Sequence, residues 1–273
     1  MNQIVSTKWL FNNLNEKNIV IFDCSWNLKN NLYSERKNFK KIHIKGAYFF
    51  DIEKISSKNT KLPHMLPSVK KFKYFTRNFN IQKNTNIITY GTDDVMGASR
   101  VWWMFKFFGF NNVYVLNGCL KKWIKEKKIV SSDRTKKIQS NFNFKINSEW
   151  LTKKDEIKKN YNNKNYLIID ARNSKRYMGF EKEPRKGLRS GNIPNSKNIF
   201  WKSITNKDGS LIQRSKIIKK FQNYNFKNKI VIYTCGSGIS ACVLSLSFMH
   251  ELNIKGSVYD GSWAEWGSQK QYY

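Results

Sequence analysis

Cysteine, histidine and acidic residues are all scarce in this chain, and each shortage excludes something. Of 273 residues four are cysteine, at 24, 119, 235 and 242, and no two form a Cys-x-x-Cys pair. With three histidines, at 43, 64 and 250, no zinc-ligand spacing arises, so neither a metal nor another cofactor is expected. A chain of this length can bury a sizeable core without a disulfide framework, which makes a reducing compartment the expectation. No apolar run approaches the ~20 residues of a membrane span. The first ten residues lack the basic-then-apolar pattern of a signal peptide; Ser6 or Thr7 is placed instead to cap a helix reaching about Leu14. A cytoplasmic location with no membrane partner follows as the expectation.

Acidic residues number 19 against 50 basic, a net charge of +31. A field of that sign suits nucleic acid or a small anion. The lysines, however, are spread along the whole chain among many asparagines and isoleucines, as an AT-rich genome writes on exposed positions. Nucleic acid is therefore not expected as a partner; a small anionic substrate is compatible.

What the chain does have is Cys235, in Tyr233-Thr234-Cys235-Gly236-Ser237-Gly238-Ile239-Ser240-Ala241. The apolar run Ile230 to Tyr233 before it reads as a buried strand, and the run from Ala241 to Met249 after it as a helix. The cysteine thus falls where a strand ends and a helix begins. Two glycines let the intervening backbone curl so that N–H groups converge at the positive end of a helix dipole, which favours a thiolate. The competing reading is a small buried core residue. Position 241, where a Cys-x5-Arg phosphatase loop would carry its arginine, is alanine, which disfavours phosphate ester hydrolysis.

The chain is also built twice. A strand at 87–90, a helix at 99–108 and Val113-Tyr114-Val115-Leu116-Asn117-Gly118 are repeated as the strand at 230–233, a helix from 241 to about 252 and Ser257-Val258-Tyr259-Asp260-Gly261. Tyr90 and Tyr233, Asn117 and Asp260, and Trp123 and Trp266 share one offset of 143 residues. In that register Thr92 stands opposite Cys235, so the first copy has no nucleophile. Ile19 to Asp23 parallels Tyr166 to Asp170, each a strand ending in aspartate. Short apolar strands alternating with helices predict α/β domains, each a mainly parallel sheet with helices on both faces. The expected organisation is a first domain over 1–135, a linker over 136–148 and a catalytic domain over 149–273.

These residues resemble the two-domain rhodanese-like sulfurtransferases, the 3-mercaptopyruvate branch in particular. The likeness runs nearly end to end, through Val5-Ser6-Thr7-Lys8-Trp9-Leu10, His64-Met65-Leu66-Pro67, Arg100-Val101-Trp102-Trp103-Met104, Glu183-Pro184-Arg185, Gly187-Leu188-Arg189-Ser190-Gly191 and Tyr259 to Trp266. The turns His43-Ile44-Lys45-Gly46 and Asn192-Ile193-Pro194-Asn195 depart from the family's usual His-Ile-Pro-Gly. Thiosulfate-preferring members usually carry basic residues after the cysteine; here Gly236, Ser237 and Gly238 are uncharged.

The resemblance implies that Cys235 takes the sulfur of 3-mercaptopyruvate as a persulfide and releases pyruvate, passing the sulfur to cyanide or to a thiol such as thioredoxin. It further implies that Arg176 and Arg185 hold the substrate, with Gly236, Gly238, Ile239 and Ser240 lining the loop around it. Ser237, His64 and Glu53 would relay protons, the last two reaching the site from the first domain, so that the site falls in the cleft between domains. Plainer readings stay open beside these. Arg176 and Arg185 could be exposed loop arginines, His64 could order its own loop, Glu53 could cap the turn at Ile55-Ser56-Ser57, and Ser237 could satisfy backbone groups. His43, His250, Cys242 and the tryptophans read as structural. The alternatives in function are a thiosulfate:cyanide sulfurtransferase and a non-catalytic persulfide carrier.

Overall fold

Val20, Ile21 and Phe22 are buried at successive positions, as are Val231, Ile232 and Tyr233. A strand with apolar side chains on both faces needs cover on both, and that demand organises each half of the chain. The computed structural model describes residues 2–27 and 32–268, and these fall into two compact units.

The first unit holds residues 1–56, 66–147 and 206–211. Its sheet has the order β1-β6-β5-β2-β4, built from β1 (Ile4–Ser6), β2 (Ile19–Asp23), β4 (Tyr48–Phe49), β5 (Asn86–Tyr90) and β6 (Val113–Asn117). Every pairing in it is parallel, and its edge strands are short, which limits exposed ladder groups. A two-residue β3 (His43–Ile44) pairs antiparallel with β7 (Val130–Ser131). Ser6 caps α1 (Thr7–Asn12), its Oγ accepting from the Trp9 amide at 3.0 Å, so the helix expected to reach Leu14 stops two residues sooner. Helices α2 (Leu32–Lys41), α3 (Ile52–Ile55), α4 (Val69–Thr76), α5 (Met96–Phe107) and α6 (Cys119–Lys125) complete the unit, α5 packing on β5 and β6. All twelve α5 residues are buried, Ser99, Arg100 and Lys106 among them. The stretch expected as a linker packs on this unit as far as Asn147: Ser140 accepts from the Ile81 amide at 3.0 Å, and Phe142 and Phe144 join Phe72 and Phe110 in an aromatic cluster.

The second unit holds residues 57–65, 148–205 and 212–273. Its sheet order, β10-β9-β11-β12-β8, repeats the first; the strands are β8 (Leu151–Thr152), β9 (Tyr166–Asp170), β10 (Lys197–Asn198), β11 (Ile230–Thr234) and β12 (Gly256–Tyr259). They too pair in parallel throughout. Around the sheet lie α7 (Lys154–Asn160), α8 (Ser174–Met178), α9 (Arg214–Phe221), α10 (Ala241–Leu252) and α11 (Ser262–Trp266). The α/β class and the tandem architecture expected from the repeat are both present.

One register differs from the sequence expectation. Asp23 pairs with Tyr90, whereas Asp170 pairs with Thr234, so the central strands match at an offset of 144 rather than 143. Gly91, not Thr92, is therefore the counterpart of Cys235. The matching tyrosines mislead because Tyr90 equals Thr234 in the ladder and Tyr233 equals Thr89. A Cβ at Gly91 would lie 2.1 Å from the main-chain oxygen of Asp94, so the longer loop of the first copy leaves no room for a cysteine there.

Candidate active site

Strand β11 ends at Thr234, and Cys235 follows at the C-terminal edge of the sheet, with α10 beginning six residues later. The intervening loop is held from the next crossover. Ser262 Oγ accepts from the amides of Cys235 at 3.2 Å and Gly238 at 3.1 Å, and donates to the carbonyl of Tyr259 at 2.7 Å. The amides of Trp263 and Ala264 donate to the carbonyls of Cys235 and Gly236, both at 2.9 Å. Ser262 adopts φ +50°, a left-handed conformation rare for a residue with a Cβ. The amides of Gly236, Ser237, Ile239 and Ser240 have no acceptor among the described residues. A loop with that many uncommitted N–H groups can receive an anion.

Cys235 is 2% exposed, with its sulfur 4.0 Å from Ser262 Oγ. The other three cysteines are buried too. Burial pushes the Cys24 and Cys119 thiols well above the ordinary value, with nearby carboxylates adding to it. Cys242 is fully buried in α10, its Sγ 3.2 Å from the carbonyl of Gly238, in keeping with its reading as core.

The second unit brings four of the expected polar residues around this loop. His64 Nδ1 lies 3.0 Å from Ser237 Oγ, both side chains being buried. His64 stands in the segment 57–65, counted with the second unit although it comes from the first half of the chain. Its φ is +60°, a backbone state that favours asparagine or glycine. Arg185 Nη2 reaches Ser237 Oγ at 3.4 Å. Arg176 lies against Gly236: a Cβ built on that glycine would be 3.1 Å from Arg176 Nη2. A side chain at 236 would crowd that guanidinium, which glycine leaves in close contact with the loop.

Glu53 is not in this unit. It stands on α3 of the first unit, capped by Asp51, and its Oε1 accepts from the Trp26 indole at 2.9 Å.

Sequence reasoning gave no role to several residues that build the site. Ser262 suspends the loop. Arg172 is buried, with three hydrogen bonds from its guanidinium to the Asp170 carboxylate, one to Glu183 Oε1 at 2.8 Å and one to the Gly191 carbonyl at 2.8 Å. The guanidinium lies over the Trp263 ring at 4.5 Å, and the Trp263 amide is a fixed point of the Cys235 loop. Glu183 in turn takes Arg176. The available signal was local: an acidic residue, in a chain poor in them, two positions before Arg185.

No group of three or more histidine, cysteine or carboxylate side chains among the described residues is placed to hold a metal.

A thiol at a strand end, amides without an acceptor and two arginines near the same loop thus lie together in the second unit. Rhodanese-like domains match residues 6–126 and 153–269, and the chain belongs to that family. Thiosulfate/3-mercaptopyruvate sulfurtransferase 1, mitochondrial, of Arabidopsis thaliana is 32% identical over 97% of this chain and 76% of its own length. The 3-mercaptopyruvate sulfurtransferase of Homo sapiens is 30% identical over 96% of this chain and 91% of its own. Thiosulfate sulfurtransferase of Rattus norvegicus is 32% identical over 96% and 91%. Among solved structures, SseA of Escherichia coli, described under 3-mercaptopyruvate sulfotransferases, matches with TM-score 0.85 and 28% identity over 96% of this chain and 99% of its own. Among the described residues no helix is long and apolar enough to cross a membrane.

Proposed function

We propose that this chain is a 3-mercaptopyruvate sulfurtransferase with Cys235 as its nucleophile. The observation that carries the reading is the uncharged loop Gly236-Ser237-Gly238, with an arginine seated against Gly236 and the His64–Ser237 pair beside it. A planar guanidinium suits the carboxylate of a 2-oxo acid, and the imidazole–hydroxyl pair supplies a route for a proton, which thiosulfate does not require.

In this mechanism the Cys235 thiolate attacks the sulfur of 3-mercaptopyruvate. The new S–S bond forms as the C–S bond breaks, and the bonding pair passes to carbon as the enolate of pyruvate. The outer sulfur keeps its hydrogen, leaving Cys235 as a persulfide. Arg176 and Arg185 hold the carboxylate and its neighbouring carbonyl, while Gly236, Gly238, Ile239 and Ser240 contribute to the lining. His64, through Ser237, delivers the proton that converts enolate to pyruvate. Attack by a second thiolate, for which thioredoxin is the candidate, or by cyanide then removes the outer sulfur and restores the Cys235 thiolate. Four free cysteines support a reducing, cytoplasmic setting.

Thiosulfate as donor is the second reading, favoured by the names of several relatives. Intact mass after brief exposure to 3-mercaptopyruvate, with pyruvate measured alongside, tests the choice. One added sulfur, removed by dithiothreitol and absent in Cys235→Ser, is the expected result. Sulfur gained from thiosulfate alone would overturn the donor; none from either donor would leave a carrier role.

A further inference from the structure

Arg176 is not simply a cation beside the cysteine loop; it is aimed. Its Nε donates to Glu183 Oε1 at 3.2 Å and its Nη2 to Glu183 Oε2 at 2.6 Å, a side-on fork that uses one edge of the guanidinium. Glu183 is itself immobile: its side chain is 1% exposed, and Oε1 also takes Arg172 Nη1 at 2.8 Å. Arg172 is anchored on Asp170 at the end of β9 and on the Gly191 carbonyl. The series Asp170–Arg172–Glu183–Arg176 therefore runs from a sheet strand to the edge of the Cys235 loop, each side chain hydrogen-bonded to the next. Arg176 is at its outer end, 14% exposed. Its Nη1 has no partner among the described residues. The edge that carries Nη1 and Nη2 is the one left for an anion.

Charge makes the same point. Asp170 and Glu183 balance Arg172 and Arg176, so the buried group is neutral when all four are ionised. Without Glu183 the two guanidiniums would repel, and Arg176 would have no reason to hold one rotamer against Gly236. A long side chain otherwise loses considerable entropy on being fixed, and here the buried carboxylate has met that cost before the substrate arrives.

We infer that Glu183 is a positioning residue for substrate binding: it presents the Nη1–Nη2 edge of Arg176 to the donor's carboxylate, and it does so from a frame fixed to β9 through Arg172. This rests on the reading that Arg176 binds the donor. The role predicts a coupling, not merely a loss. Glu183 matters to binding only through Arg176.

A double-mutant cycle tests it. Wild type, Glu183→Gln, Arg176→Ala and the double variant are compared for KM and kcat with 3-mercaptopyruvate, alongside melting temperature. Glu183→Gln is expected to raise KM about 10-fold with kcat changed less than about 3-fold, the pattern of lost ground-state binding. In the Arg176→Ala background the same change is expected to leave KM within about 2-fold. An equal rise in KM in both backgrounds, or a fall in melting temperature with KM unchanged, would overturn the inference. If Glu183→Gln does not fold, Glu183→Asp keeps the charge while withdrawing it by one methylene, and the cycle is run with it. The expected result is then a smaller KM increase that again vanishes without Arg176. Wild-type persulfide formation reports separately on the donor. Should wild type take sulfur from thiosulfate and not mercaptopyruvate, the same cycle is run with thiosulfate, and absence of coupling there overturns the positioning role as well.

Discussion

Ser262 Oγ stands 3.2 Å from the amide nitrogen of Cys235 and 4.0 Å from its sulfur. Twenty-seven residues separate the two in the chain, so the nucleophile's position depends on the turn that opens α11. That turn is strained, with φ +50° at Ser262, and the hydroxyl is what it presents to the loop. Ser262→Ala removes the acceptor of two buried amides, a destabilisation of about 2 kcal/mol. Because small displacements of a nucleophile are costly, persulfide formation should slow about 10-fold or more. Ser262→Gly suits the backbone and also lacks the hydroxyl. Single-turnover sulfur uptake should fall alike in both variants; recovery with glycine would assign the effect to strain.

Asp23 and Asp170 end equivalent strands, and each accepts at 2.9 Å from the amide two residues on, Ser25 in one case and Arg172 in the other. Only Asp170 receives a guanidinium. Burial raises the Asp23 pKa above the usual carboxylate value; the Ser25 and Tyr90 hydrogen bonds oppose the shift without cancelling it. An acid raised in the folded state contributes its stability below the unfolded pKa and loses it as pH rises through the folded one. Asp23→Asn, neutral throughout and still able to accept from Ser25, should therefore raise the melting temperature near neutral pH. The gain should shrink toward about pH 4, where the unfolded carboxyl also protonates. A pH-independent difference in melting temperature would show that ionisation is not the cause.

Much of this was legible in the residues. Period, glycine placement and the doubled pattern led to parallel sheets with Cys235 at a strand end, because apolar strands and strand–helix turns leave local marks. Tyr90 and Tyr233 misled the register by one, since a buried tyrosine suits neighbouring ladder positions alike. Glu183 left only a faint mark, an acidic residue two positions before Arg185, and Ser262 left none. Their roles come from partners at Arg172, Arg176 and Cys235 that the fold alone assembles, and a serine after glycine is otherwise an ordinary turn residue. Nor could the chain order indicate that residues 57–65 are counted with the second unit while 206–211 are counted with the first.

His64 joins a rare backbone state to a side chain 3.0 Å from Ser237 Oγ. The two properties can be separated. Asparagine tolerates a left-handed φ better than other non-glycine residues, so His64→Asn should preserve the loop and the melting temperature while deleting the imidazole. If the ring carries a proton to the enolate, kcat for pyruvate release should fall about 10²- to 10³-fold, in the range of a lost general acid. Ser237→Ala should fall comparably, and the double variant little further, because residues acting as a unit are not additive. Sulfur uptake from thiosulfate, which leaves no enolate to protonate, should be reduced far less in both. Equal losses with the two donors would mean that His64 shapes the cysteine loop and moves no proton.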